Sequence, residues 1–398
     1  MSADTRCPAC GGLLALVHEL REDGAALRER FASRRATTSG PDVSGVWRYR
    51  ELVLPSVVSP VSGPEGNTPL ISRAAVSTWA GADGLLLKHE GMNPTGSFKD
   101  RGMTVAVTQA VRLGATAVAC ASTGNTSSSL AAYAAQAGLP ALVFIPQNAV
   151  ALGKLSQSLA YGARTLLVRG DFDQCLALAQ QASSELGVYL VNSINPFRIE
   201  GQKTIMLELL EQLGWQPPDW VVVPAGNLGN TAAFGKAFRE AVAAGLLPRM
   251  PRLAAIQAEG AAPFARSFGV GFRERFTVKA ETLATAIRIG NPASWDRAVR
   301  AIRETNGVVT SVSDEEILEA KAVVDGAGVG CEPASAASVA GVRALRRSGV
   351  IGAGELVVAI LTGHVLKDPD ASVGSANMPI EIDADLAEVE RALADSGR

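Results

Sequence analysis

Short apolar runs alternate with stretches of helical period along most of the chain. Ala115–Ala121 reads as a buried strand, Asn125–Gln136 as a helix closed by Gly138 and Pro140, and Ala141–Ile145 as the next strand. Thr165–Val168, Val188–Val191, Trp220–Val223, Leu253–Gln257 and Leu356–Leu361 repeat the strand pattern. Asp173–Leu186, Thr204–Leu213 and Asp314–Ala327 carry the helical period between them. Strand–helix–strand alternation predicts an α/β fold with parallel sheets, whose ligands bind at the carboxyl ends of the strands. The pattern shows no fixed-period repeat and no low-complexity tract.

The first 45 residues break this rhythm and read as a peripheral extension. They hold a lone CxxC (Cys7, Cys10), a charged helix-like run from His18 to Arg34, and a polar stretch at 38–42. The compact body begins with GVWRYRELVLP (45–55), and Asn67-Thr68-Pro69-Leu70 marks a turn before an apolar segment. Composition changes this picture little: 47% hydrophobic and 19% charged residues are those of a globular chain rather than a disordered one. A net charge of −2 argues against nucleic acid or an anionic membrane as partner. An anionic ligand would have to be met by local donors. With no long apolar run, no signal-peptide core and no disulfide framework among five cysteines, a cytoplasmic home is expected.

Four loops carry the candidate chemistry. In NPTGSFKDRGM (93–103) a turn leads into a helix-like run, which sets Lys99 at a helix N-terminus. The positive backbone potential there disfavours a second positive charge, so Lys99 should deprotonate easily, as Schiff-base formation with an aldehyde requires. A solvated lysine in a charged turn is the plainer alternative. PAGNLGN (224–230) joins the strand Trp220–Val223 to a helical stretch. The backbone N–H groups of Gly226, Asn227, Leu228, Gly229 and Asn230 can form a nest for phosphate, or simply a strand-to-helix turn. ASTGNTSSS (121–129) follows a strand and opens a helix; its small donors could grip a carboxylate, or Asn125 or Thr126 could merely cap the helix. LTGHVLKDPD (361–370) ends the strand Leu356–Leu361 with Thr362 at its tip.

Together these strings resemble the fold-type II pyridoxal-phosphate enzymes, and GSFKDRG with GNLGN is similar to the threonine synthases in particular. Matching strings run from about 45 to 375 and include YGAR (161–164), TAIRIGNPASW (285–295) and EPASAASVAG (332–341). Val365 departs from the family's TGHGLKDP, where glycine is usual, and should affect backbone shape only. The resemblance implies pyridoxal 5′-phosphate bound covalently to Lys99. Asn125 would bond the ring's 3′ oxygen and the 226–230 loop the cofactor phosphate. Thr362 would meet the pyridine nitrogen as a neutral hydroxyl, with no carboxylate partner for that nitrogen. Ser122, Thr123 and Thr126 would face the substrate.

The resemblance further implies conversion of O-phosphohomoserine and water to L-threonine and phosphate, by γ-elimination and β-addition of water. That substrate needs a second phosphate site. VNSINPFRIEGQKT (191–204) offers Asn192, Ser193 and Arg198, joined by Thr126; arginine supplies a bidentate fork for phosphate. A surface ion pair of Arg198 with Glu200 is the competing reading. Two parallel-sheet α/β domains are implied, a larger one from 46–98 and 196–398 and a smaller one from 99–195, with the site in the cleft and a homodimer as the expected assembly. The alternatives are a dehydratase, a β-replacement enzyme acting on phosphoserine, and a non-catalytic protein on the same scaffold.

The remaining candidates are not promoted. Cys7 and Cys10 lack the second cysteine pair of a zinc site, and His18, His89 and His364 show no metal-ligand spacing, so no metal is expected. Cys331 beside Glu332 reads as packing.

Overall fold

The computed structural model describes residues 4–19, 23–122, 124–147, 152–369 and 379–395. Its strands among these residues are β1 (Leu70–Ser72), β2 (Leu86–His89), β3 (Ala117–Ala121), β4 (Ala141–Pro146), β5 (Arg164–Val168), β6 (Val188–Leu190), β7 (Trp220–Pro224), β8 (Arg252–Ala258), β9 (Val308–Val312) and β10 (Val357–Leu361). They form two sheets, one ordered β1-β2-β10-β7-β8-β9 and one ordered β5-β4-β3-β6. Every pairing is parallel except β1 with β2. β3, β7 and β10 are buried along their whole length, which explains why their sequences are unbroken apolar runs rather than alternating ones. β1, β2 and β9 lack such runs and were not anticipated.

Three helices position the candidate loops. The lysine helix (Lys99–Arg112) starts with no side-chain cap. It crosses the short helix Pro196–Gln202 at a distance only glycine allows. A Cβ on Gly201 would stand 1.7 Å from the Arg101 carbonyl oxygen, and one on Gly102 would stand 3.0 Å from that of Arg198. The third helix, Gly229–Ala243, begins beside the same short helix, where a Cβ on Gly229 would meet Gln202 Oε1 at 3.3 Å. One short helix therefore touches both the lysine helix and the start of the helix after β7.

Buried ion pairs brace this junction. Arg101 donates from Nε to Glu90 at 2.7 Å and from Nη2 to Glu90 and Glu208 at 2.8 Å each. Lys88 bonds the same Glu208 at 2.6 Å. Arg101, Lys88 and Glu90 are fully buried. Such charges are tolerated only when paired this completely. The two cations hold the Glu208 carboxyl well below the usual range despite its burial.

The N-terminal residues are less peripheral than expected. Leu27 and Phe31 lie in the main core, and Phe31 meets Tyr49 edge-on at 4.9 Å. Among the described residues of the charged run the helix is Gly24–Arg35, with Asp23 capping its start by accepting from Ala26 N–H. His18 lies outside the helix, and its ring bonds Glu200 at 2.6 Å.

Candidate active site

The lysine loop is stitched to the end of β10. Phe98 N–H donates to the Thr362 carbonyl at 3.0 Å, and His364 N–H to the Gly96 carbonyl at 2.9 Å. Gly96 adopts φ +85, which suits glycine alone. Val365, the departure noted in the sequence, opens a 3-10 turn (Val365–Lys367) with an ordinary negative φ, so the position has no need of glycine. Asp100 fixes the turn by accepting Thr95 N–H and Thr95 Oγ1 at 2.7 Å each and Ser129 Oγ at 2.6 Å. Burial nevertheless pushes its carboxyl up to about 6.

Lys99 is the first residue of its helix, and its amine lies 4.0 Å from the Phe98 ring centroid. Desolvation pushes that amine down to about 7; the positive charge of Arg198 adds to the shift and Glu332 opposes it. Helix potential was expected from the position at a helix N-terminus; burial and a neighbouring arginine lower the amine here.

The GNLGN loop packs tightly at its start. A Cβ on Gly226 would come within 3.0 Å of Ile287 Cα. Leu228 takes a left-handed conformation, φ 63, and the helix follows at Gly229. The first helical bond runs from Ala232 N–H to the Leu228 carbonyl, so the preceding N–H groups have no acceptor within the helix. Asn227 binds the segment 293–294 through its carbonyl (Ser294 N–H, 3.1 Å) and its Oδ1 (Ala293 N–H, 3.3 Å). Thr231 Oγ1 and Ser294 Oγ are buried without a hydrogen-bond partner, as is Asn230 Oδ1. Two orphaned hydroxyls beside an open helix N-terminus are what a phosphate group would satisfy. Neither Thr231 nor Ser294 was singled out in the sequence; a hydroxyl one residue beyond GNLGN was the available signal for the first.

Across from this loop, Gly124 precedes the helix Asn125–Ala137, which has no side-chain cap. Asn125 is thus not spent on capping. Its Nδ2 reaches Glu332 Oε2 at 2.9 Å, 207 residues away. Ser122 Oγ accepts Gly124 N–H at 3.3 Å, and Thr126 is buried in the first turn. Thr123 lies outside the described residues. Thr362 is buried at the tip of β10; its hydroxyl lies 2.9 Å from Ser335 Oγ and donates to Glu332 Oε1 at 3.2 Å. A carboxylate therefore stands directly behind the hydroxyl that the resemblance assigns to the ring nitrogen. In the sequence Glu332 stood only in a matching string and as the neighbour of Cys331, with no role of its own.

The 191–204 segment sorts its residues differently. Asn192 exchanges two bonds with Ala121, Oδ1 accepting from N–H at 3.0 Å and Nδ2 donating to the carbonyl at 3.1 Å. Its amide thereby extends the β3–β6 pairing and fixes the base of the 121–126 loop. Ser193 is half-buried in the turn closed by Asn195 N–H on the Asn192 carbonyl at 2.9 Å. Arg198 is 2% exposed, donates from Nη1 to the Val191 carbonyl at 3.2 Å, and leaves Nε without a partner. Burial pushes the guanidinium down to about 10. Glu200 is not its counterion: that carboxylate is held by Lys203, Lys236 and His18.

A cavity of about 320 Å³ opens beside the lysine loop, with Asn93, Thr95, Gly124, Asn125, His364 and Lys367 among its walls. Lys367 Nζ donates to the Thr95 carbonyl at 3.1 Å. Elsewhere, His18, Glu200 and Glu240 bring possible metal ligands within 4.8 Å of one another. Lys203 and Lys236 already supply the positive charge between those carboxylates, so the cluster is an ion-pair network.

Residues 61–363 match the family described as pyridoxal-phosphate dependent enzyme, and the chain belongs to that family. It is 46% identical to a threonine synthase of Methanocaldococcus jannaschii over 96% of this chain and 94% of that one. It is 49% identical to a threonine synthase of Synechocystis sp. over 83% of this chain and 85% of the relative. Within the family it falls among the threonine synthases, as a pyridoxal-phosphate-dependent lyase. The fold is shared more widely. The crystal structure of Escherichia coli threonine synthase superposes with a TM-score of 0.67 at 21% identity, covering 93% of this chain and 86% of that one. Threonine deaminase isoform 2 of Solanum lycopersicum gives 0.68 at 21%, covering 92% and 98%.

Proposed function

We propose that the enzyme converts O-phosphohomoserine and water to L-threonine and inorganic phosphate, with Lys99 as the residue that holds the cofactor and moves protons. The observation that carries this reading is Arg198. It is a buried guanidinium with no carboxylate partner among the described residues, and its charge is felt by Lys99. An enzyme whose only phosphate belonged to its cofactor would have no use for a second desolvated cation beside its lysine.

In this reading Gly226, Asn227, Leu228, Gly229 and Asn230 hold the cofactor phosphate, helped by Thr231 and Ser294. Asn125 and Thr362 orient the ring from opposite sides of the cleft. Ser122, Thr123 and Thr126 hold the substrate carboxylate, while Asn192, Ser193 and Arg198, with Thr126, form the substrate-phosphate site. Asn192 contributes there mainly by fixing the backbone at Ala121, since its amide is already engaged.

When bound, pyridoxal phosphate supplies an electron sink that makes the Cα proton of an attached amino acid acidic. Lys99, freed from the cofactor by the substrate amine, takes that proton. An amine near neutrality can both accept and return a proton at pH 7. Arg198 steadies the phosphate as it leaves Cγ, and the buried walls of the cleft limit stray protonation. A second proton leaves Cβ as the phosphate departs, a proton returns to Cγ, and water then adds at Cβ as a proton returns to Cα.

The larger unit is taken as 46–98 with 196–398 and the smaller as 99–195, consistent with β3–β6 forming a sheet of their own. A cytoplasmic location and a homodimer complete the proposal; no helix among the described residues is long and apolar enough to cross a membrane. Sedimentation of the holoenzyme tests the dimer. Product analysis with O-phosphohomoserine, O-phosphoserine and threonine as parallel substrates tests the function. Turnover of phosphoserine alone, or 2-oxobutyrate from threonine alone, would reassign it to a sister reaction.

A further inference from the structure

Glu332 sits where the two halves of the cofactor-facing surface meet. It is buried directly before the helix Pro333–Arg347. One oxygen accepts Asn125 Nδ2 at 2.9 Å, and the other takes the Thr362 hydroxyl at 3.2 Å. Asn125 comes from the loop after β3 and Thr362 from the tip of β10, so one carboxyl group spans both sheets. The chain makes room for it: a Cβ on Gly363 would lie 2.4 Å from Glu332 Cδ, and Glu332 N–H holds the Gly363 carbonyl at 3.1 Å. Ser335 Oγ closes the network, accepting Gly363 N–H at 2.9 Å and meeting Thr362 Oγ1 at the same distance.

We propose that Glu332 is a positioning residue that sets the protonation of the cofactor ring nitrogen through the Thr362 hydroxyl, while its other oxygen orients Asn125. This rests on the reading that Thr362 and Asn125 face the cofactor ring. A threonine hydroxyl has one proton to donate. When Glu332 is ionised, that proton belongs to Oε1, and Thr362 can only accept. The ring nitrogen then bonds to it only if the nitrogen itself carries a proton. When Glu332 is neutral, its own O–H donates to Thr362 Oγ1, the threonine proton is released toward the ring, and the nitrogen stays bare. One proton is thus shared along the line from Glu332 through Thr362 to the ring nitrogen. In either state Oε2 can accept from Asn125.

The surroundings of the Glu332 carboxyl pull its proton affinity both ways, with a net rise. Burial raises its affinity for a proton, opposed by the bond from Asn125, by Lys367 after β10, by Lys99 on its helix, and by the Thr362 hydroxyl. Its chain neighbour Cys331 is pushed up by burial and stays a neutral thiol. The charge state of Lys99 changes when it is joined to the cofactor and again when it is freed, so the proton balance at Glu332 responds to the reaction stage.

The test is the nuclear magnetic resonance signal of cofactor labelled with nitrogen-15 in its ring, bound to the wild-type, Glu332→Gln, Glu332→Ala and Thr362→Val proteins across pH. A glutamine amide donates to Thr362 and accepts from Asn125, so it mimics the neutral acid permanently. The expected result is a pH-dependent ring-nitrogen signal in wild type that becomes pinned at the unprotonated position in Glu332→Gln. Glu332→Ala should lose the pinning, and the thermal midpoint of each cofactor-free variant reports whether it has folded. A Glu332→Gln signal that titrates as in wild type, while Thr362→Val alters it, would overturn the role of Glu332 and leave the ring against Thr362. A signal unchanged by Thr362→Val would overturn both.

Discussion

Replacing Arg198 by methionine isolates the substrate-phosphate site. Methionine keeps comparable length and fills the same buried space without charge. The structure makes two opposite demands on this change. In the free protein Arg198 is a desolvated cation with one carbonyl partner and an orphaned Nε, so its removal should leave stability unchanged or raise it. In the proposed complex the same residue is the buried partner of a phosphate, and truncating such a partner costs about 2–5 kcal/mol, a loss of roughly 30-fold to several thousandfold in kcat/KM. A second readout comes from Lys99. Arg198 helps to hold its amine down at about 7, so the variant amine should titrate higher and the apoenzyme should take up pyridoxal phosphate with a midpoint shifted to higher pH. The assay pairs steady-state phosphate release from O-phosphohomoserine with cofactor uptake followed by absorbance, and thermal unfolding of the apoprotein. A fall in kcat/KM of less than about threefold, or roughly 0.6 kcal/mol, would refute the assignment. So would a large drop in apoprotein stability, which would make Arg198 a structural residue.

Thr231→Val should weaken cofactor affinity roughly ten- to a hundredfold, the value of one hydrogen bond to a charged group at about 1.5–3 kcal/mol, without destabilising the apoprotein, in which that hydroxyl has no partner; equilibrium dialysis measures it. Glu208→Gln should cost about 3–5 kcal/mol in urea unfolding, because Arg101 and Lys88 would lose their shared carboxylate in the buried interior. Acid should unfold the protein steeply. Glu200 and Glu208 both titrate below their ordinary value of 4.5 in the folded state, so the stability they contribute is full above that pH and is lost as pH falls below it. Two protons give a slope of about 2.7 kcal/mol per pH unit, read from denaturant midpoints across an acid series.

The candidate loops stood out in the sequence because the chemistry they suggest is local. A lysine opening a helix, a glycine-bearing strand-to-helix turn and a threonine ending a strand each need only a few consecutive residues, and their order along the chain matched one kind of cofactor. β3, β7, β8 and β10 were legible for a similar reason, since strands buried on both faces are predominantly apolar. What escaped was set by contacts between distant residues. Nothing near Arg198 reveals that Glu200 is claimed by Lys203, Lys236 and His18, so an ion pair of Arg198 with Glu200 stood as the competing reading until the fold was seen. Nothing near Glu332 announces Asn125 and Thr362, although an acid set among apolar residues just before a proline-led helix could have prompted the question. The N-terminal run misled through its charge: Leu27 and Phe31 on its buried side tie it into the core.

The measurement that bears most directly on the whole account is a product balance with the purified holoenzyme and O-phosphohomoserine, run beside Lys99→Ala. The account predicts equal amounts of L-threonine and phosphate from the wild type. It predicts neither product, and no visible absorbance of lysine-bound cofactor, from the variant. Phosphate release without threonine, or undiminished turnover by Lys99→Ala, would contradict it.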